Sequence, residues 1–172
     1  VTPLFYTKVS AGASAIFAFN PDIERLLGRA DAICRQRGVQ LTDLRRQVLG
    51  LVLDSARPAG AYELLDRLRA GRRGAAPPTV YRSLEFLLEQ GLVHKVERLS
   101  AFVGCIHAME AAEDDHPAHA VQFLICKSCG RVAELSDHDI GHALVDAAGR
   151  VGFTVSGSTI EADGTCAACT GA

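Results

Sequence analysis

The sequence holds no uninterrupted apolar run of the roughly 18 residues that a membrane-spanning helix needs, so no such helix is expected. It has no internal repeat and no low-complexity tract, which excludes solenoid arrays. It also lacks the order of a signal peptide. Within residues 1–20 Lys8 is the sole charge, and the small residues Ser10 to Ala15 precede the apolar Ile16 to Phe19 rather than following them. That segment reads as an extension without an assigned role. The expected location is a reducing cytoplasm, where thiols stay available for metal. Net charge is scarce as well, at −2 over 172 residues, but it is unevenly placed. Residues 29–100 carry 13 basic and 8 acidic side chains, a net of +5, whereas residues 101–172 carry 3 and 10, a net of −7. A basic first half suits a module that meets a polyanion, and the acidic second half does something else; chance asymmetry is the plain alternative. With 48% hydrophobic residues the chain can bury a proper core.

What the chain does have is cysteine in two pairs, Cys126-Lys-Ser-Cys129 and Cys166-Ala-Ala-Cys169. Two thiolates three residues apart can grip one ion from a tight turn, and two such turns complete a tetrahedral Cys₄ zinc site. The stretch between the pairs, Gly130 to Thr165, has room for a strand, a helix and another strand, so the metal would staple a small domain shut. The competing readings are a redox dithiol, which leaves the second pair without work, and disulfides, which need an oxidising compartment.

Helical periodicity predicts one helix from Pro21 to about Arg37, a second capped by Thr42 or Asp43 and ended before Arg57-Pro58, and a third from Ala61 to Ala70. A fourth opens on Pro77-Pro78, where proline fits best, and stops at Gly91. Leu92–Glu97 and Ala101–Ile106 then alternate as a hairpin. Together these make a winged helix-turn-helix. Ala108–Ala118 reads as an acidic loop. Beyond it come strands at Ala120–Cys126 and Val132–Leu135, a helix at Asp137–Ala148 and a strand at Phe153–Glu161. The fold class is α+β.

In the fourth helix Val80, Leu84, Leu87 and Leu88 form an apolar stripe, which turns Thr79, Arg82, Ser83 and Phe86 away from the core. A recognition helix reads base edges with its N-terminal part, where Arg82 sits, and an arginine fork can pair with guanine O6 and N7. The amides at the helix start, with Thr79, are expected to hold a phosphate. Tyr62 is a second candidate for DNA contact, and Tyr81 either packs or donates to a phosphate. Arg45, Arg46, Arg72, Arg73 and Lys95 offer charge to the backbone, though each alone is equally an ordinary surface group.

Pro78-Thr-Val-Tyr-Arg82, then Gly91-Leu-Val-His94-Lys, then the paired knuckles, resemble the ferric uptake regulator family, and within it the zinc uptake regulators most. The likeness covers about Asp22 to Cys169. It implies a homodimeric, zinc-responsive transcriptional regulator, mainly a repressor of zinc-uptake genes, that binds double-stranded operator DNA. It implies neither an enzyme nor a protein with a small organic substrate or a membrane partner. The domains expected are an extension at 1–21, a winged-helix DNA-binding domain at 22–99, a hinge and metal-binding loop at 100–119, and a small α/β dimerisation domain at 120–172. Two zinc ions per subunit are implied. The structural one carries over onto Cys126, Cys129, Cys166 and Cys169, and the regulatory one onto His94, Cys105, His119 and Glu134. One thiolate, two imidazoles and a carboxylate are an acceptable shell for Zn²⁺, and a cation there would bridge the two domains.

The chain also departs from the family. Ala120-Val-Gln-Phe123 stands where iron sensors usually carry a histidine-rich run, and Gly141 stands where a further family site takes a carboxylate, so no complete third site is expected. His107, His116, His138 and His142 stay unassigned, and Cys34 reads as core packing. Asp66 and Arg69 suit either contacts between dimers or an intrahelical pair. The rival functions are a constitutive zinc-stapled DNA-binding module and a zinc enzyme using Glu134 as general base.

Overall fold

A computed structural model describes residues 4–5, 19–110, 121–135 and 137–170. Two compact units emerge: residues 8–112, and residues 1–7 with 113–172. In chain order the elements are β1 (Leu4–Phe5), α1 (Pro21–Gln36), α2 (Asp43–Leu53), β2 (Ala59–Gly60), α3 (Ala61–Gly71), α4 (Pro77–Glu89), β3 (Val93–Val96), β4 (Ala101–Gly104) and α5 (Ile106–Glu110). They continue with β5 (Val121–Cys126), β6 (Val132–Leu135), α6 (His138–Gly149), β7 (Thr159–Gly164) and α7 (Ala167–Thr170).

The first unit is built on a continuous core from Ile23 to Met109. Asn20 caps α1 by accepting the Ile23 N–H at 2.9 Å, and Pro21 occupies the first helical turn. Ile23, Leu26, Leu27, Ala30 and Cys34 recur every three or four residues and are all buried. Cys34 is indeed a core residue, its thiol pushed up by burial. Thr42 holds the cap position of α2 without a side-chain cap bond. Gly50 in that helix admits the Phe19 ring, which a Cβ there would overlap.

The wing is a three-stranded sheet in the order β2-β4-β3, not the two-stranded hairpin expected. β2 pairs Ala59 with Phe102, and β3 pairs His94 with Val103, both antiparallel. Ser100, at φ 48°, turns the chain between β3 and β4 in the left-handed conformation. The range 100–119 therefore does not start as a hinge: β4 is wing, and residues 106–110 form α5 where a loop was expected from Ala108. Ladder hydrogen bonds to both neighbours hold β4 inside the first unit.

The second unit is a sheet in the order β1-β6-β5-β7. β5 runs antiparallel to β6 and parallel to β7, with α6 in the crossover that a parallel pair requires. β1 adds an antiparallel edge, Leu4 opposite Glu134 and Phe5 opposite Ala133. Asp137 caps α6 by accepting from Asp139 and Ile140. The buried apolar set among the described residues is short: Phe123, Ile125, Cys126, Val132 and Ala133. None of α6 is buried, and Ile140, Leu144, Val145, Val151 and Phe153 are exposed. The last strand begins at Thr159, not Phe153, because parallel pairing with β5 starts at Val121 opposite Thr159. Among the described residues, no helix is long and apolar enough to cross a membrane.

Candidate metal centres and nucleic-acid interface

Cys126 ends β5, Cys129 closes the turn to β6, and Cys166 and Cys169 bracket the start of α7. The turn is fixed by backbone bonds, Gly130 N–H to Cys126 O at 2.9 Å and Cys126 N–H to Arg131 O at 2.8 Å. Gly130, at φ 69°, supplies the left-handed residue the turn needs. Lys127 N–H donates to Gly164 O at 2.9 Å, which brings the second pair alongside the first.

All four Sγ atoms lie within 4.8 Å of one another, and Cys129 and Cys166 are 3.7 Å apart. Four sulfurs about 2.3 Å from one zinc sit roughly 3.8 Å apart, the edge of the tetrahedron, so the cluster has the size of a zinc shell. The six cysteines are free of disulfides. Cys126 is drawn down to about 6, chiefly by the Cys166 N–H donating to its sulfur at 3.3 Å. Cys169 is pushed up to about 12, chiefly by the neighbouring Cys166 and Cys129 sulfurs. Four crowded thiols cannot all ionise by themselves; a dication resolves the repulsion. The donor set fits zinc.

Of the four residues expected at a second zinc site, His94 and Cys105 belong to the first unit. His94 lies on β3, and Cys105 follows β4 with its N–H donating to Leu92 O at 3.0 Å. A ring nitrogen of His94 and the Cys105 sulfur are within 4.8 Å, close enough to share an ion. The sulfur also accepts the Ala108 N–H at 3.4 Å. Burial pushes His94 down to about 4, leaving the neutral imidazole that binds metal. Glu134 belongs to the second unit, in the middle of β6, where burial raises its carboxyl to about 7. His119 lies outside the described residues, as does His116. His138 and His142 share a face of α6, but among the described residues no third donor completes a set with them.

On α4, Arg82 and Tyr81 are exposed and Thr79 is half-buried, while Tyr62 projects from α3 with 66% of its surface accessible. Two expectations fail here. Ser83 and Phe86 are buried rather than turned outward, because α4 packs on both α2 and α3 and so hides a wider arc than one stripe. The amides at its start are not a phosphate cradle: Pro77 and Pro78 have no N–H, and Thr79 N–H donates to Ala76 O at 2.9 Å. Arg46 pairs with Glu24 and Lys95 with Glu97. Arg69 pairs with Asp66 at 3.6 Å along α3.

A winged-helix unit joined to an α/β unit that gathers four thiols at zinc spacing defines a class of metal-containing helix-turn-helix proteins. Within that class the chain belongs to the Ferric uptake regulator family, whose model matches residues 36–162. It is 43% identical over 146 residues to the zinc uptake regulation protein of Escherichia coli K12, spanning 85% of this chain and 82% of that one. It is 33% identical over 134 residues to the zinc uptake regulation protein of Mycobacterium tuberculosis, 77% of this chain and 95% of the relative. Among solved structures, a zinc uptake regulator complexed with zinc and DNA superposes with a TM-score of 0.78 at 42% identity, covering 87% of this chain and 95% of that chain. A holo XcZur crystal structure gives 0.73 at 42% identity, covering 85% and 97%.

Proposed function

We propose that this chain is a zinc-responsive transcriptional regulator, mainly a repressor, that binds the operators of zinc-uptake genes as a homodimer. The observation that carries the reading is the likeness over 87% of the chain to a zinc uptake regulator bound to zinc and DNA, whose fold this chain reproduces at 42% identity. The chain's own chemistry agrees: a recognition helix with Arg82 and Tyr81 outward, and four thiols spaced for one zinc.

Two zinc ions per subunit have distinct tasks. The Cys126, Cys129, Cys166 and Cys169 set is architectural, and His94, Cys105, His119 and Glu134 form the sensing set. When bound, zinc would supply a fixed point to which its ligands are tied. The protein's part is to offer His94 neutral and Cys105 beside a helix amide, both on the frame that carries α4. A second copy covers the apolar residues of α6, of which Ile140, Leu144 and Val145 remain 39%, 36% and 50% exposed. Tyr62, Thr79, Tyr81 and Arg82 contact DNA, with Arg82 reading base edges.

The test is operator affinity against buffered Zn²⁺ for the native chain and for Cys105→Ser. A coupling of about 1–3 kcal/mol, roughly 5–150-fold in affinity, is the expected size of the switch. It disappears in Cys105→Ser while the Cys₄ zinc is retained. Equal operator binding with and without the second zinc would reject the sensor in favour of a constitutive module.

A further inference from the structure

Arg45, in the first turn of α2, stands apart from the other basic side chains near the recognition helix. Its Cζ sits 3.5 Å from the centroid of the Phe86 ring, and its Nη1 donates to Gln40 O at 2.8 Å. Phe86 follows Arg82 by four residues on α4, so the two share one face of the helix a turn apart. Arg46 and Lys95 are each neutralised by a carboxylate, whereas among the described residues none pairs with Arg45. Arg45 is half-buried, with the Phe86 ring under its guanidinium.

Stacking on an aromatic face fixes the guanidinium plane, and the bond to Gln40 fixes its rotation in that plane. Nε and Nη2 then remain as oriented donors with an unneutralised charge behind them. Such a fork suits one partner above others, the paired oxygens of a phosphodiester. Because Arg45 flanks the face that carries Arg82, the phosphate it meets borders the groove that receives α4.

Resting on the DNA-binding reading above, we propose that Arg45 is a contact to the DNA phosphate backbone, preorganised by Phe86, which sets how α4 enters the groove. The rival role is a tie between α2 and α4 that never touches DNA. The two differ in what salt does. A phosphate contact releases counterions, so its loss flattens the dependence of log K on log salt by about 0.9 per protomer, whereas a structural tie leaves the slope alone. It also carries no sequence information, so operator and scrambled duplexes suffer alike.

The experiment uses the full, zinc-loaded chain and measures affinity for an operator duplex and a scrambled duplex across a salt series, with melting temperature as a control. Arg45→Gln is expected to weaken both duplexes by roughly tenfold per protomer and to lower the slope by about 0.9 per protomer. Phe86→Leu keeps the charge but frees it; the slope stays and affinity falls less. An unchanged slope in Arg45→Gln, or a loss confined to the operator, overturns the proposal. Should Arg45→Gln fail to fold, Arg45→Lys decides: the native slope with weaker binding to both duplexes supports it, and native affinity overturns it. If the native chain binds neither duplex, the DNA-binding reading itself fails, which is a separate outcome.

Discussion

The two units of this chain solve the problem of staying folded in opposite ways. Residues 8–112 bury a continuous set of side chains from Ile23 to Met109, with Leu27, Leu49, Leu64, Leu84 and Leu87 almost wholly inaccessible. At about 1.5–3 kcal/mol per fully buried large apolar side chain, that core offsets the ordering of its own backbone. Among the described residues the second unit buries few large apolar side chains, chiefly Phe123, Ile125 and Val132, and no residue of its one long helix, α6, is fully buried. A helix draws most of its stability from a covered apolar face, and that of α6 is only partly covered, with Leu144 36% and Val145 50% exposed. The contrast teaches that the DNA-binding frame rests on its own core, while the smaller unit is where the proposed structural zinc and second copy are expected to add stability. Such a division lets the part that reads DNA keep its shape whether or not the proposed architectural zinc is bound.

The harshest way to break the comparison is Cys166→Ser. Structural zinc contributes on the order of 10 kcal/mol, comparable to a whole domain's stability. Limited proteolysis should then cut freely within residues 121–170 while residues 19–110 stay resistant. Next comes Leu144→Asp on α6, which puts a carboxylate where a partner copy is expected. Sedimentation should show self-association weakened at least about 100-fold, a cost of several kcal/mol, with the Cys₄ zinc still bound.

A smaller change probes the larger unit. Gly50→Ala must displace the Phe19 ring and should lower that unit's stability by about 1–3 kcal/mol in thermal melts. In a Phe19→Ala background the same change should stabilise by up to about 1 kcal/mol, because alanine favours helix over glycine. The finest effect is a proton count. At pH 7 Cys126, drawn down to about 6, has largely lost its proton, while Cys169, pushed up to about 12, retains its own. Zinc must displace whatever protons remain, so its affinity falls with falling pH. Below about pH 6 Cys126 adds one more proton to that count, and the slope steepens accordingly. Chelator competition from pH 5 to 8 reads it; a slope that stays constant through pH 6 contradicts the Cys166 N–H as the cause.

Where a signal is local and long, the sequence carried it. The stripes of α1 to α4 repeat over several turns, and two cysteines at CxxC spacing need only one turn to meet. Val132–Leu135 was bounded correctly by its neighbours. Short elements were invisible: β2 has two residues, too few for alternation, and α5 has five, too few for a helical stripe. Phe153 and Val155 alternate like a strand, yet strand structure also needs a partner, and β5 offers its edge only from Thr159. Phe86 looked like a surface residue because periodicity shows one packed face, whereas α4 is packed by two helices and covered by Arg45. The proposed ligands His94, Cys105, His119 and Glu134 are scattered along the chain, and resemblance rather than spacing links them.

The measurement that bears most directly on the division of labour is amide hydrogen exchange on the full chain, zinc-loaded and after a strong chelator. The account predicts that chelation strips protection from β5, β6, β7 and α6, while α2, α3 and α4 keep theirs almost unchanged. Equal protection of residues 121–170 in the presence and absence of zinc would contradict it, as would loss of protection in both units together.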